Sequence, residues 1–142
     1  MIYVDTSALV ALIVNEPGSA AVAAWYEATK DELVSAAWCV TEFGSALGLK
    51  QRTTQLDADQ AHAAWEWFER LIASDVRLLP VGPVDFHRAA MLTLDASSGI
   101  RAADALHLAC AERAGARSLV TLDALMAKNA RRVRLKPVSL GA

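Results

Sequence analysis

The sequence predicts an α/β protein, with about five strands in one parallel sheet and helices packed on both of its faces. Three observations point that way. Short β-like runs alternate with longer helical ones along the whole chain. Strands separated by helices pair in parallel through right-handed crossovers. The breaks between runs fall at residues suited to start or stop helices, such as Asp57 and Gly115.

Taken in order, residues 1–4 read as a buried strand, and Thr6 or Ser7 is placed to cap a helix through Val14. Asn15-Glu16-Pro17-Gly18 breaks that helix, and Pro17 can open another that runs to about Lys30. Residues 32–36 are a short strand, followed by a helix from Trp38 to about Gln51. In that helix Gly44 and Gly48 share a face where another backbone has room to approach. Asp57 caps a long helix to about Ala73, and Ala61, Ala64, Trp65, Phe68, Leu71 and Ile72 keep the helical period. Residues 76–81 form a strand, and Pro83 opens a helix that Ser97-Ser98-Gly99 ends. Residues 101–114 are helical up to Gly115, 118–121 a strand, 123–130 a short helix and 133–138 a last strand.

A chain of 142 residues is the size of one domain, so residues 1–142 are expected to form a single one. At that length about two-thirds of the unfolded surface is buried, enough for a core without disulfides or structural metal. The longest apolar run, Ala8 to Val14, is too short to cross a bilayer, and no charged-then-apolar leader opens the chain. A soluble, cytoplasmic protein with no membrane association is expected. Cys39 and Cys110 lie in apolar helical patterns without a partner at zinc spacing, and read as buried free thiols. A net charge of −2 argues against binding nucleic acid by bulk charge alone, though not against an acidic site that holds cations. Arg131, Arg132, Arg134 and Lys136 cluster near the C-terminus and read as a solvated face.

In sheets of this kind, sites form outside the carboxyl ends of the strands. Asp5 follows the first strand and Asp123 the fourth, where each could be a helix cap or part of a site. Glu42 and Asp104 sit early in their helices among apolar neighbours. Singly, each reads as a solvated acid. Four carboxylates brought to one sheet edge would repel, and a divalent cation removes that conflict. Oxygen-only ligands suit Mg²⁺ or Mn²⁺, and an acidic cage around such ions is a recurrent route to phosphodiester hydrolysis.

These residues fall in motifs that resemble those of the PIN-domain family. Val4-Asp5-Thr6-Ser7-Ala8-Leu9 looks like the first motif and Thr41-Glu42-Phe43-Gly44-Ser45-Ala46-Leu47 like the second. Asp104-Ala105-Leu106-His107-Leu108-Ala109 looks like the third and most specific, and Thr121-Leu122-Asp123 like the fourth. Over nearly its whole length the chain is similar to VapC-type toxins. The resemblance implies a three-layer PIN-like sandwich, a homodimer, and Mg²⁺- or Mn²⁺-dependent cleavage of RNA. It also implies a cognate antitoxin protein as partner. The family's acidic quartet carries over as Asp5, Glu42, Asp104 and Asp123, as catalytic residues and metal ligands, with Asp5 and Asp104 the most direct. Thr6 or Ser7, and Thr121, are placed to orient those carboxylates. In one departure, no acid follows Asp123 in the next turn, which weakens the hold expected on a second metal.

Other residues carry less. His107 shares a helix face with Asp104 and reads as a packing or hydrogen-bonding residue, with a ligand or proton-shuttle role as the alternative. Arg101 could pair with Asp104 or touch a phosphate. Trp25 and Trp65 fit apolar stripes of the core, whereas Trp67 lies at the edge of its stripe, at a partner surface or at the core rim. A receiver-like signalling domain would share the fold class and an Mg²⁺ site, but it wants paired acids after the first strand, where Asp5 stands alone before Thr6. A catalytically silent scaffold has no need of four acids. A DNA- or ribosomal-RNA-processing relative would carry more chain.

Overall fold

The computed structural model describes residues 1–140. Its elements are β1 (Ile2–Val4), α1 (Thr6–Ile13), α2 (Ser19–Ala28), β2 (Leu33–Ala36), α3 (Trp38–Arg52), α4 (Ala58–Ser74) and β3 (Val76–Leu79). They continue with α5 (Pro83–Leu94), α6 (Ala102–Ala114), β4 (Ser118–Val120), α7 (Ala124–Ala130) and β5 (Lys136–Pro137). Two short 3₁₀ turns, Ala96–Ser98 and Arg131–Val133, lie in the connections.

All four strand pairings are parallel, in the order β3-β2-β1-β4-β5. β1 is central, with Tyr3 opposite Val34 on one side and Leu119 on the other. The chain builds outward from β1 to β2 and β3, then returns to place β4 on the other side of β1. The gap between the ends of β1 and β4 is therefore the point where strand order reverses, which is where such sheets open a crevice. A receiver domain follows a different order, 2-1-3-4-5, and the observed topology excludes that rival.

Alternation along the strands divides the core in two. Ile2, Val4, Leu33, Val76 and Val120 face α1 through α4. Tyr3, Val34, Ala36, Leu79 and Leu119 face α5 through α7. The result is a three-layer α/β sandwich. On the first face Phe68 is fully buried and stacks on Phe43, their ring centroids 4.3 Å apart. On the second, α6 is buried without interruption from Ala105 to Ala111, wedged between α5 and the sheet. Cys39 and Cys110 are both buried and free.

Several local readings hold. Asp57 caps α4 in a full capping box with Gln60, and Gly115 ends α6 in the left-handed conformation at φ 76°. Others need correction. The cap of α1 is Asp5, whose side chain accepts from the Ala8 amide, rather than Thr6 or Ser7. Pro17 and Gly18 stay outside α2, because Ser19 Oγ bridges back to the Glu16 amide and the Val14 carbonyl and makes a turn there. The last strand covers only Lys136–Pro137, since residues 131–133 coil into a 3₁₀ turn and Arg134 takes φ 62°. Gly44 and Gly48 mark no close backbone crossing: a Cβ at Gly44 would meet the Trp65 ring at an ordinary 3.9 Å, and at Gly48 only the flexible tip of Arg52.

Removing a fully buried ring from a close-packed layer leaves a cavity. Phe68→Ala is expected to cost about 3–5 kcal/mol of stability, seen as a lower urea midpoint with unchanged slope.

Candidate active site

Asp5 ends the central strand with 3% of its surface exposed. Its Oδ1 accepts from Ser7 Oγ at 2.7 Å and the Ala8 amide at 3.0 Å, and its Oδ2 accepts from Thr121 Oγ1 at 2.6 Å. The two hydroxyls also tie the ends of β1 and β4 together, because Ser7 Oγ accepts from the Leu122 amide and Thr121 Oγ1 donates to Asp5, while Thr121 Oγ1 accepts locally from the Asp123 amide. Burial still dominates these donors and pushes the Asp5 carboxyl above its ordinary range.

Asp123 caps α7, its Oδ1 accepting from the Met126 amide at 3.0 Å. Asp104 lies in the first turn of α6 and is partly exposed. Its carboxyl is held above the ordinary range by burial, and further by the charges of Asp123 and Asp5. Three acids from β1, β4 and α6 thus share one field at the reversal point of the sheet. Arg101 opposes them in part by its charge, but among the described residues it makes no ion pair.

Glu42 makes its contacts through α1 and α6, beside the three. It is hydrogen-bonded to His107 Nε2, and its Oε1 accepts from Thr6 Oγ1 at 2.7 Å. Burial alone would raise its carboxyl, but the bonds from His107 and Thr6 outweigh that and leave it below the ordinary range. It lines a shallow open cavity of about 390 Å³ with Thr6, Ser7, Glu16 and Ser45. His107 is 1% exposed and is the hydrogen-bonding residue its setting suggested. His62 pairs with Glu66 on the surface.

A residue the sequence did not single out completes this part. The Tyr3 hydroxyl meets His107 Nδ1 at 2.5 Å and accepts from the Ala36 amide at 3.0 Å. The available signal was that a tyrosine inside a fully buried strand needs a partner for its hydroxyl.

The donor set of Asp5, Asp104 and Asp123 is all oxygen, which suits Mg²⁺ or Mn²⁺. The mutual repulsion felt at Asp104 is the charge excess that a cation would offset. Among the described residues no group of three or more His, Cys, Asp or Glu side chains is drawn in closely enough to form a ready ligand cage. The set therefore matches a divalent ion in donor chemistry and charge, not as a preformed shell.

An α/β sandwich with acids gathered at the sheet's reversal point is the frame of several hydrolase families. The PIN domain model matches residues 2–132, and the chain belongs to the PIN-domain family. It is similar in fold to FitAcB from Neisseria gonorrhoeae, at 17% identity and TM-score 0.70, with 99% of this chain and 98% of that one covered. VapBC2 from Rickettsia felis, bound to a DNA fragment from its promoter, shows 18% identity and TM-score 0.68 over 97% of this chain and 98% of that one. PAE2754 from Pyrobaculum aerophilum shows 23% identity and TM-score 0.66 over 96% and 89%. No curated protein matches the chain.

The raised Asp104 carboxyl carries a stability prediction. In the unfolded chain it ionises near pH 4, but in the fold it ionises higher. The site therefore costs no stability below the unfolded value. Its cost grows as pH rises through the folded value and is complete above it. Asp104→Asn is expected to raise the melting temperature in EDTA at neutral pH, with a gain that fades as pH falls towards 4. An equal shift at both pH values would contradict the repulsion.

Proposed function

We propose that this chain is a metal-dependent endoribonuclease, a PIN-domain toxin restrained by a cognate antitoxin. The observation that carries the reading is the gathering of Asp5, Asp104 and Asp123 at the carboxyl ends of β1 and β4, where their charges act on one another. PIN domains are generally nucleases and generally use divalent metals. Asp5, Asp104 and Asp123 would hold Mg²⁺ or Mn²⁺, with Glu42 beside them. When bound, such an ion lowers the pKa of a water and offsets charge on the scissile phosphate.

The chain's own residues account for the rest. Ser7 and Thr121 orient the Asp5 carboxylate and keep both its oxygens accepting, so its protons stay off despite burial once a cation shares the site. Asp104 lies partly exposed at the opening, where RNA can approach. Glu42, held ionised by His107 and Thr6, adds negative charge on the side of the α1–α3 cavity. Chemistry run by an acidic cation site needs no net positive surface, in keeping with a net charge of −2.

The antitoxin reading rests on the resemblance to VapC-type toxins, and two of the fold neighbours, FitAB and VapBC2, are described bound to DNA fragments. The homodimer rests on the family resemblance. The exposed apolar residues Trp67, Phe86 and Leu94 offer surface for such contacts.

Incubation with total cellular RNA in Mn²⁺, and again in EDTA, tests the activity. Discrete cuts are expected in Mn²⁺ only, mapped as new 5′ ends. Asp104→Asn should lower them by more than about a hundredfold, beyond what loss of a merely supporting residue costs. Cuts shared with the variant would belong to a contaminant. A protein free of any bound partner that cuts nothing would favour a silent scaffold.

A further inference from the structure

His107 and Tyr3 lie 104 residues apart in sequence yet make a direct buried hydrogen bond, and neither touches the three aspartates by one. The direction of the protons in this contact can be worked out from its partners. The Tyr3 oxygen already accepts the Ala36 N–H, so its own hydrogen is free to point at His107 Nδ1. Nδ1 then offers its lone pair, and the ring's hydrogen sits on Nε2. That nitrogen faces Glu42 Oε1, an acceptor, and lies 3.3 Å from Thr6 Oγ1. Thr6 gives its own hydrogen to the same Glu42 oxygen, which leaves the Thr6 oxygen free to accept. Every donor in the chain Ala36 N–H, Tyr3 O–H, His107 Nε2–H, Glu42 carboxylate thus finds an acceptor.

We propose that Tyr3 and His107 are positioning residues for Glu42: the Tyr3 hydroxyl locks the imidazole in its Nε2–H tautomer, and that N–H holds the carboxylate against Thr6 at the edge of the acidic site. The stiffness comes from burial. Tyr3 is fully buried on the central strand, and His107 lies within the uninterrupted buried stretch of α6, so neither ring has room to turn. The arrangement has the form by which a second group fixes tautomer and orientation of a functional histidine. Here the histidine in turn fixes an acid. The role in metal binding rests on the acidic-site reading above, whereas the tautomer does not.

Two measurements test it. The full chain, labelled with ¹⁵N in its three histidines, gives ring ¹⁵N–¹H correlations at neutral pH, and His107→Gln assigns the signal by its loss. Hydrogen on Nε2 with Nδ1 unprotonated is expected, and Tyr3→Phe should release the lock and populate both tautomers. Hydrogen on Nδ1 in the wild type would overturn the proposal. The second measurement is Mn²⁺ affinity, read from the electron paramagnetic resonance of the free ion. His107→Leu is expected to weaken it about ten- to a hundredfold, and His107→Gln, which restores an N–H donor, to recover most of the loss. Wild-type affinity in a folded His107→Leu protein would also overturn the positioning role. Should that variant fail to fold, failure of His107→Gln to differ from Glu42→Gln would do the same. A wild type that binds no Mn²⁺ while its ring shows the Nε2–H tautomer would sink the acidic-site reading and leave the tautomer lock standing.

Discussion

Placing a carboxylate at the end of a strand buried on both faces sets a constraint that much of this structure answers. Asp5 cannot move to solvent, because β1 is pinned between β2 and β4 and sandwiched by both helical layers. Its oxygens must find donors within the fold or stay protonated. Ser7, Ala8 and Thr121 supply them. Those bonds also start α1 and stitch the ends of β1 and β4 together, so satisfying one acid organises the reversal point of the sheet.

The remaining acids show how one edge can hold carboxylates in different states. Asp104 is raised by burial and by its neighbours' charges, while Glu42 is lowered by hydrogen bonds that outweigh its burial. Environments that push ionisable groups apart in this way are more common at functional sites than elsewhere, although ion-pair networks can do the same. The Asp85–Arg113 pair is such a case. Arg113 holds the buried Asp85 below the ordinary range, and the same guanidinium bonds the Pro80 carbonyl, so the pair clasps α5 to α6 far from the acids.

The two helical layers divide these tasks. Layer α1–α4 contributes Glu42 and the cavity beside it, and layer α5–α7 contributes Asp104 and His107. β1 feeds both, since Tyr3 points into the α5–α7 layer and the chain passes from Val4 through Asp5 directly into α1. A strand of three residues thus serves both halves of the site, through the Tyr3 side chain on one face and through Asp5, which follows its end and caps α1.

Much of this was legible from the residues in order. The alternation of periods determined an α/β parallel sheet, Asp57 and Gly115 marked helix ends through their own local chemistry, and the four short motifs hold the acids that the proposed site uses. These are local properties, set within a few residues of chain. Strand order, the use of Asp5 as the cap of α1, and the bonding of Glu42 to Thr6 and His107 were decided only in the tertiary structure. So was the meeting of Tyr3 with His107 across 104 residues. No pattern in the chain encodes which strand lies beside which, or which buried hydroxyl finds which ring, because those contacts form only when distant segments are packed together and each buried polar group must take whatever partner the packing leaves within reach.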